Sequence, residues 1–308
     1  MWEVKNKSII HRIYHTLNEA IRVVCGENTQ YRFIYALRTR KWLNLKAPKD
    51  LNEKLFWLAR YWRNPLVVQC ADKYRVREYL QSKGCGDILN ELYGVYEDAN
   101  DINFDTLPNK FALKCNHGSG MNIVCEDKSK LNIQECIIKL NEWLKFQFGR
   151  GVEWQYKPIK RKIIAEKYLE GKMIEYQVWC FNGRPIMFLV RNDLRCDTTD
   201  VREQSYAITY TPDWKRVYYR KNEENFQIDL PRPLNYQKML DYAIRLSADF
   251  PQVRVDFYEV DGTLIFGEMT FSSNGNILSN YKPEILIKLG EQLVLPEPIN
   301  KKHNNGNC

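Results

Sequence analysis

The spacing of apolar residues along the chain changes period several times, and each change predicts an element. Ile10, Ile13, Tyr14, Leu17, Ile21 and Val24 recur at helical spacing and predict an amphipathic first helix. His11 and His15 share one face of it at i, i+4, and with no third ligand in view they read as surface or packing residues rather than a metal site. Residues 51–62, LNEKLFWLARYW, predict a second helix entered from Pro48, with Asn52 and Glu53 as capping candidates. Asp72 is the expected N-cap of a third helix, DKYRVREYLQSKG, which Gly84 stops. Later helices are expected after the Asn132/Glu135 capping box, over 234–250 and over 283–293.

Between these helices the period falls to two. Short strands are expected over 88–95 and 205–219, and KIIAEKYL makes a strand that leads through Glu170-Gly171 into EYQVWCFNGRPIMFLV. Asn182-Gly183 in that stretch predicts a type I′ hairpin. Residues 111–124, FALKCNHGSGMNIV, read as a strand, a turn holding Gly118 and Gly120, and a second strand. Lys114 lies inside the first strand, an awkward place unless its ammonium meets an anion. The two glycines let backbone amides approach a phosphate closely, and Ser119 adds a hydroxyl. No GKS or GKT follows, so this is not a Walker loop, and taken alone the stretch reads better as a plain hairpin turn beside a surface lysine. Residues 147–162 lose all periodicity and form a basic, aromatic loop. The polar tail after Leu295 is expected to be disordered.

Residues 253–275, VRVDFYEVDGTLIFGEMTFSSNG, predict a β-hairpin that carries two carboxylates. Two registers are available. A two-residue Asp261-Gly262 loop pairs Val260 with Thr263 and leaves Asp256 and Glu268 on opposite faces. A three-residue loop with Gly262 left-handed pairs Val260 with Leu264 and sets Asp256 across from Glu268 and Arg254 across from Thr270; this is the register expected. Facing carboxylates about 5 Å apart repel unless something positive lies between them, and a divalent metal is the usual remedy. Oxygen donors with no neighbouring His or Cys point to Mg²⁺, while a solvated acidic hairpin is the competing reading.

Composition narrows the class. The 308 residues are 44% hydrophobic and 13% aromatic, a globular composition. The start, MWEVKNKSIIHRIYH, lacks the apolar core of a signal peptide and no apolar run is long enough to span a bilayer, so a cytoplasmic protein is expected. Nine cysteines without CxxC spacing fit reduced thiols. The net charge of +8 is localised: residues 1–63 hold 13 Lys and Arg against 5 Asp and Glu, and the remainder balances at 33 of each. A basic N-terminal region predicts contact with an anionic partner, whether nucleic acid, bilayer surface or acidic polysaccharide.

The order of these features carries a resemblance. A lysine after Asp72, a strand lysine before a Gly-Ser turn, EKYLEGKMIEYQV, then VRVDFY and FGEMTFSSNG resemble the ATP-grasp superfamily from about Asp72 to Leu295, closest to its carboxylate–amine ligases. NEKLFWL, RNPL and ADKYRVREY are similar to the TupA-like ATP-grasp proteins of teichuronopeptide biosynthesis, whose members occur with bacterial surface-polysaccharide genes.

The resemblance implies an α+β fold whose two lobes sandwich ATP, divided as a helical basic lobe over 1–70, a central lobe over 71–162, a C-terminal lobe over 163–295 and a tail over 296–308. It implies that Lys73 and Lys114 contact the ATP phosphates, that His117, Gly118, Ser119 and Gly120 close over them, that Glu166, Lys167 and Leu169 read the adenine, and that Glu175 binds the ribose. Asp256, Glu268 and Thr270 would hold Mg²⁺ and Arg254 would stabilise an oxyanion. Thr270 stands where many ATP-grasp ligases have Asn, which leaves the third ligand open between Thr270, Asn274 and water.

Lys157, Lys160, Arg161, Arg191 and Arg195 are the candidates for an acidic glycan acceptor, joined by a small amine or amino acid. Glycosyl transfer is a rival reading, but the chain has no DxD motif; a sugar phosphotransferase is another. A nucleic-acid-binding protein would leave the carboxylate pair unexplained.

Overall fold

The computed structural model describes residues 20–148, 151–171, 173–192 and 207–299. Most of the first expected helix lies outside these residues, with His11 and His15, as do Arg195 and Cys308. Two antiparallel sheets organise the described chain. Strands β1 (Leu92–Tyr96), β2 (Phe111–Cys115), β3 (Asn122–Cys125) and β4 (Ile163–Lys167) form a four-stranded sheet in the order β1-β4-β2-β3. Strands β5 (Met173–Phe181), β6 (Arg184–Arg191), β7 (Ala207–Tyr210), β8 (Arg216–Val217), β9 (Gln252–Val260) and β10 (Thr263–Thr270) form a six-stranded sheet in the order β10-β9-β5-β6-β7-β8.

Helices α1 (Glu27–Thr39), α2 (Leu51–Tyr61), α3 (Pro65–Ala71), α4 (Val76–Ser82), α5 (Ile133–Lys145), α6 (Tyr236–Ser247) and α7 (Pro283–Gln292) pack around them. Helix α2 is capped by Asp50, whose side chain accepts from the Glu53 amide, rather than entered at Pro48. Helix α3 is an addition to the expected set, started by the Asn64 side chain and by Pro65 at its first turn.

The six-stranded sheet is covered on both faces, and side-chain alternation divides them. Tyr176, Val178, Cys180, Val253, Val255 and Phe257 enter one core with Tyr79 and Leu80 of α4 and Met239, Ala243 and Leu246 of α6. Trp179, Phe181 and Met187 point the other way, against Leu51, Leu55 and Leu58 of α2 and Leu286 and Leu289 of α7. In the four-stranded sheet Phe111, Leu113, Cys115, Ile163 and Ala165 pack with Cys136 and Leu140 of α5.

This packing redraws the expected divisions. Strand β4 belongs to the four-stranded sheet, so that unit runs past residue 162. Helices α3 and α4 share the core of the six-stranded sheet, although the sequence places residues after 71 with the central lobe. Helix α2 is likewise part of the C-terminal sheet's cover rather than of a separate basic lobe. Residues 296–299 are described, and the Ile299 amide donates to the Tyr61 carbonyl at 2.9 Å. The seven described cysteines are all unpaired. Among the described residues no helix is long and apolar enough to cross a membrane.

Candidate active site

Each sheet turns one row of polar side chains toward the other. On β2 and β4 these are Lys114 and Glu166, which alternate with the core residues and meet at 2.7 Å between Lys114 Nζ and Glu166 Oε2. Arg77 Nη1 of α4 lies 3.8 Å from the other Glu166 oxygen. The anion that the strand lysine requires is therefore a carboxylate of the protein itself.

Lys73 arrives through local tethers. The Asp72 carboxylate accepts from the Tyr74 and Arg75 amides and from Asn116 Nδ2, and the Lys73 amide donates to the Asn116 carbonyl directly after β2. Asp72 thus caps a turn ahead of α4 and pins it to the four-stranded sheet. Lys73 Nζ donates to the Gly118 carbonyl at 2.5 Å and lies 3.9 Å from Glu268 Oε2. Burial lowers its pKa, against the opposing field of Glu268.

The carboxylate hairpin is built differently from the sequence expectation. Asp261 and Gly262 both have positive φ, 47° and 77°, and close a two-residue loop that pairs Val260 with Thr263. That register alone would turn Glu268 into the core. A bulge at Gly267 inserts one residue into β10, after which Glu268 pairs with Asp256 and Thr270 with Arg254. Only glycine fits there: a Cβ on residue 267 would lie 2.9 Å from the Asp256 carbonyl oxygen. The expected pairing is present, and the expected loop is not.

Arg254 occupies the space between the carboxylates. Its Nε donates to Asp256 Oδ1 at 2.7 Å and its Nη2 to Asp256 Oδ2 at 2.5 Å, with further contacts to Glu268 Oε1 at 3.5 Å, Thr270 Oγ1 at 3.1 Å and Ser273 Oγ at 3.2 Å. Asp256 is 1% exposed; burial raises its pKa, and the guanidinium opposes that shift. Burial would lower the pKa of Arg254 too, but the Asp256 charge and hydrogen bonds outweigh it and raise it. Glu268, with 38% of its side chain exposed, has burial raising its pKa and Lys73 and Arg254 outweighing that, so it is held below the ordinary value. The carboxylate pair is therefore neutralised within the protein, and repulsion alone does not call for a metal.

Two cavities meet at this cluster. The first, about 220 Å³, is lined by Lys73, Lys114, Ser119, Glu166, Tyr258 and Glu268, with Leu89, Leu169 and Ile265 as an apolar wall. The second, about 630 Å³, is lined by Glu175, Trp179, Arg191, Arg254, Glu268 and Thr270. Ser119 and Glu268 belong to both.

Other expected residues lie elsewhere. His117 is buried with Nε2 3.3 Å from the Phe146 carbonyl, and burial lowers its pKa; of its turn, Ser119 and Gly120 line the first cavity. The Gly118 carbonyl instead holds Lys73. Lys167 is exposed and paired with Glu91 at 3.6 Å. Glu175 faces Arg191 across 3.8 Å in the second cavity, not the first. Lys157, Lys160 and Arg161 line neither cavity: Lys160 pairs with Glu97, and Arg161 donates to the Leu144 carbonyl and to Gln147 Oε1, closing the C-terminus of α5.

Arg77, Tyr258 and Ser273 were not expected. Tyr258 was legible, being two residues beyond Asp256 on the same strand face, whereas Arg77 and Ser273 carry no local signal.

The donor set is compatible with Mg²⁺. All the oxygens are hard, and Glu268 is the accessible carboxylate, consistent with an ion that takes one or two carboxylates and completes its shell from phosphates and water. Among the described residues no group of three or more His, Cys, Asp and Glu converges on one point.

The structure is similar to an L-amino acid ligase from Bacillus licheniformis at 16% identity and a TM-score of 0.44, covering 68% of this chain and 44% of that one. It is similar to a D-alanine–D-alanine ligase from Bacillus anthracis at 17% identity and a TM-score of 0.42, covering 73% and 67%. A biotin carboxylase domain from Hydrogenobacter thermophilus bound to MgADP gives 18% identity and a TM-score of 0.43, covering 75% and 47%. The chain thus spans less than half of the first of these proteins, and likenesses this distant decide nothing about substrate. No curated protein sequence matches. The family model for TupA-like ATP-grasp proteins matches residues 53–294, well over half of the chain. The chain belongs to the TupA-like ATP-grasp family.

Proposed function

We propose that this protein is an ATP-dependent carboxylate–amine ligase, with the nucleotide in the smaller cavity and the acceptors in the larger. One observation carries the reading: Glu268 faces both cavities, with Lys73 and Lys114 on one side of it and Arg254 on the other. Lys73 and Lys114 now hold a carbonyl and a carboxylate, partners that a triphosphate can replace as two point charges. Leu89, Leu169 and Ile265 offer an apolar wall for the base.

A substrate carboxylate attacks the γ-phosphorus, ADP leaves, and the acyl phosphate is then attacked by an amine with loss of phosphate. Arg254, held rigid by Asp256, Thr270 and Ser273, directs N–H donors at the oxyanion of that second step. Glu268 and Thr270 are the residues that would hold Mg²⁺, joined by Asp256 where Arg254 releases one of its oxygens, and the ion would supply neutralisation of phosphate charge.

The acceptor we favour is a uronic acid carboxyl of a bacterial surface polysaccharide or its precursor, supported by the family membership and by the basic charge of residues 1–63. The test is ADP release from ATP and Mg²⁺ with acidic glycans and amino acids supplied singly and together. The ligase reading expects release to require both a carboxylate and an amine; release with a hydroxyl acceptor alone would replace it with phosphoryl transfer.

A further inference from the structure

The larger cavity holds a carboxylate that no step above uses. Glu153 lies in the loop after α5 and lines this cavity together with Ser119, Tyr156 and Glu268. Among the described residues its carboxylate has no ion-pair partner. Burial pushes it up to about 7, and the only charge opposing that shift is Arg38, which itself donates to the Asn274 carbonyl at 3.2 Å. Tyr156 lines the same cavity as Glu153, Arg254 and Glu268; burial raises the pKa of its hydroxyl, the charges of Glu268 and Glu153 add to that shift and Arg254 opposes it.

Elsewhere the cavity wall is rich in donors without acceptors. Among the described residues Trp179 Nε1, Arg191 Nε and the Tyr281 hydroxyl are buried and lack hydrogen-bond partners, as does the acceptor Glu175 Oε2, and all four residues line the same cavity as Arg220. Buried donors left unpaired are uncommon and call for a partner from outside the fold.

We propose that this cavity seats the amine substrate as an amino-acid zwitterion, its carboxylate toward Arg191 and Arg220, and that Glu153 takes the proton the ammonium must lose before it attacks. The inference rests on the ligase reading. An ammonium has no lone pair. Transfer of one proton to Glu153 frees the pair, the C–N bond forms at the acyl carbon, the C–O bond to phosphate breaks with its electrons on the phosphate oxygen, and the second nitrogen proton leaves with phosphate. Glu153 is available for this role and Glu268 is not, because Glu268 is already engaged by Lys73 at 3.9 Å and Arg254 at 3.5 Å.

Hydroxylamine separates the two readings, since it is already unprotonated at neutral pH and needs no base. The wild type and the Glu153→Gln and Glu153→Asp variants are given ATP, Mg²⁺, glucuronic or galacturonic acid, and either hydroxylamine or one of glycine, L-alanine and L-glutamate. The expected result is a hydroxamate from all three proteins. The ratio of amino-acid coupling to hydroxamate should fall about 10²- to 10⁴-fold in Glu153→Gln and recover in part in Glu153→Asp. L-alanine should also couple at least about tenfold better than ethylamine, which lacks the carboxylate.

A wild type that makes no hydroxamate overturns the ligase reading beneath the proposal. Hydroxamate without coupling of any of the three amino acids removes the zwitterion from the cavity. An unchanged ratio in Glu153→Gln, or an equal loss of both products, overturns the role of Glu153 and leaves the ligase reading standing.

Discussion

The two sheets hold their charges in opposite ways. On the six-stranded sheet Arg254 and Asp256 are locked to each other by two hydrogen bonds, with Asp256 1% exposed, so the pair is fixed before any ligand arrives. On the four-stranded sheet Lys114 keeps 32% of its side chain exposed and meets a single carboxylate, while Lys73 rests on a turn carbonyl. The first arrangement orients a donor for charge that appears during reaction, where reorganisation would cost rate. The second keeps cations soluble in a half-buried cleft until an anion displaces their partners. Rigidity belongs where bonds change, and exchangeable contacts belong where a polyanion enters and leaves.

The largest expected effect breaks the fixed side. Arg254→Met leaves Asp256 buried and unpaired, which should cost about 3–5 kcal/mol in urea unfolding together with turnover. Adding Asp256→Asn should restore much of the stability and none of the activity. If Arg254→Met unfolds at the wild-type midpoint, the contrast between a locked and an exchangeable side is wrong. Glu268→Gln should lower turnover by about 10²- to 10³-fold and change the melting temperature little, because Glu268 is 38% exposed and not committed to the pair.

Gly267→Ala tests the bulge. Its Cβ must displace the Asp256 backbone, so a loss of about 1–3 kcal/mol is expected, with a drop in activity through the misplacement of Glu268. Lys114→Met should raise the KM for ATP about tenfold, equivalent to about 1.4 kcal/mol, with a smaller loss of folding stability than Arg254→Met because Arg77 still faces Glu166. Last, Lys160→Ala should change stability by less than about 1 kcal/mol, since its pair with Glu97 is solvent-exposed, and should leave both substrate KM values where they are. An increase in acceptor KM would return Lys160 to the substrate surface.

Much of the fold was legible in local pattern. The Asn182-Gly183 turn, the strands around the Gly-Ser turn, helix α5 and helix α7 stand where periodicity and capping residues place them. The Asn64-Pro65 start of α3 was equally readable but marks too short a helix for periodicity to reveal. The gathering of Lys73, Lys114, Arg254, Asp256 and Glu268 into one cluster was expected from their order along the chain. The positions of the His117, Lys167 and Arg161 side chains, away from both cavities, were not, because sequence shows that a polar side chain exists and not which way its strand or turn aims it.

What the sequence determined by itself was the alternation that sends Arg254, Asp256 and Tyr258 to one face of β9 and Val253, Val255 and Phe257 to the other, and a turn at Asp261-Gly262. What only the tertiary structure decided was the partner across that face. A side-chain period of two means that one inserted residue reverses every side chain beyond it, and whether the extra residue falls in the loop or at Gly267 depends on backbone contact with the Asp256 carbonyl, which no local pattern records. The neutraliser of the carboxylate pair was also a tertiary choice. Arg254 stands two residues from Asp256 in sequence, but only a sheet that buries both makes the guanidinium, rather than water, the nearest compensation for the charge.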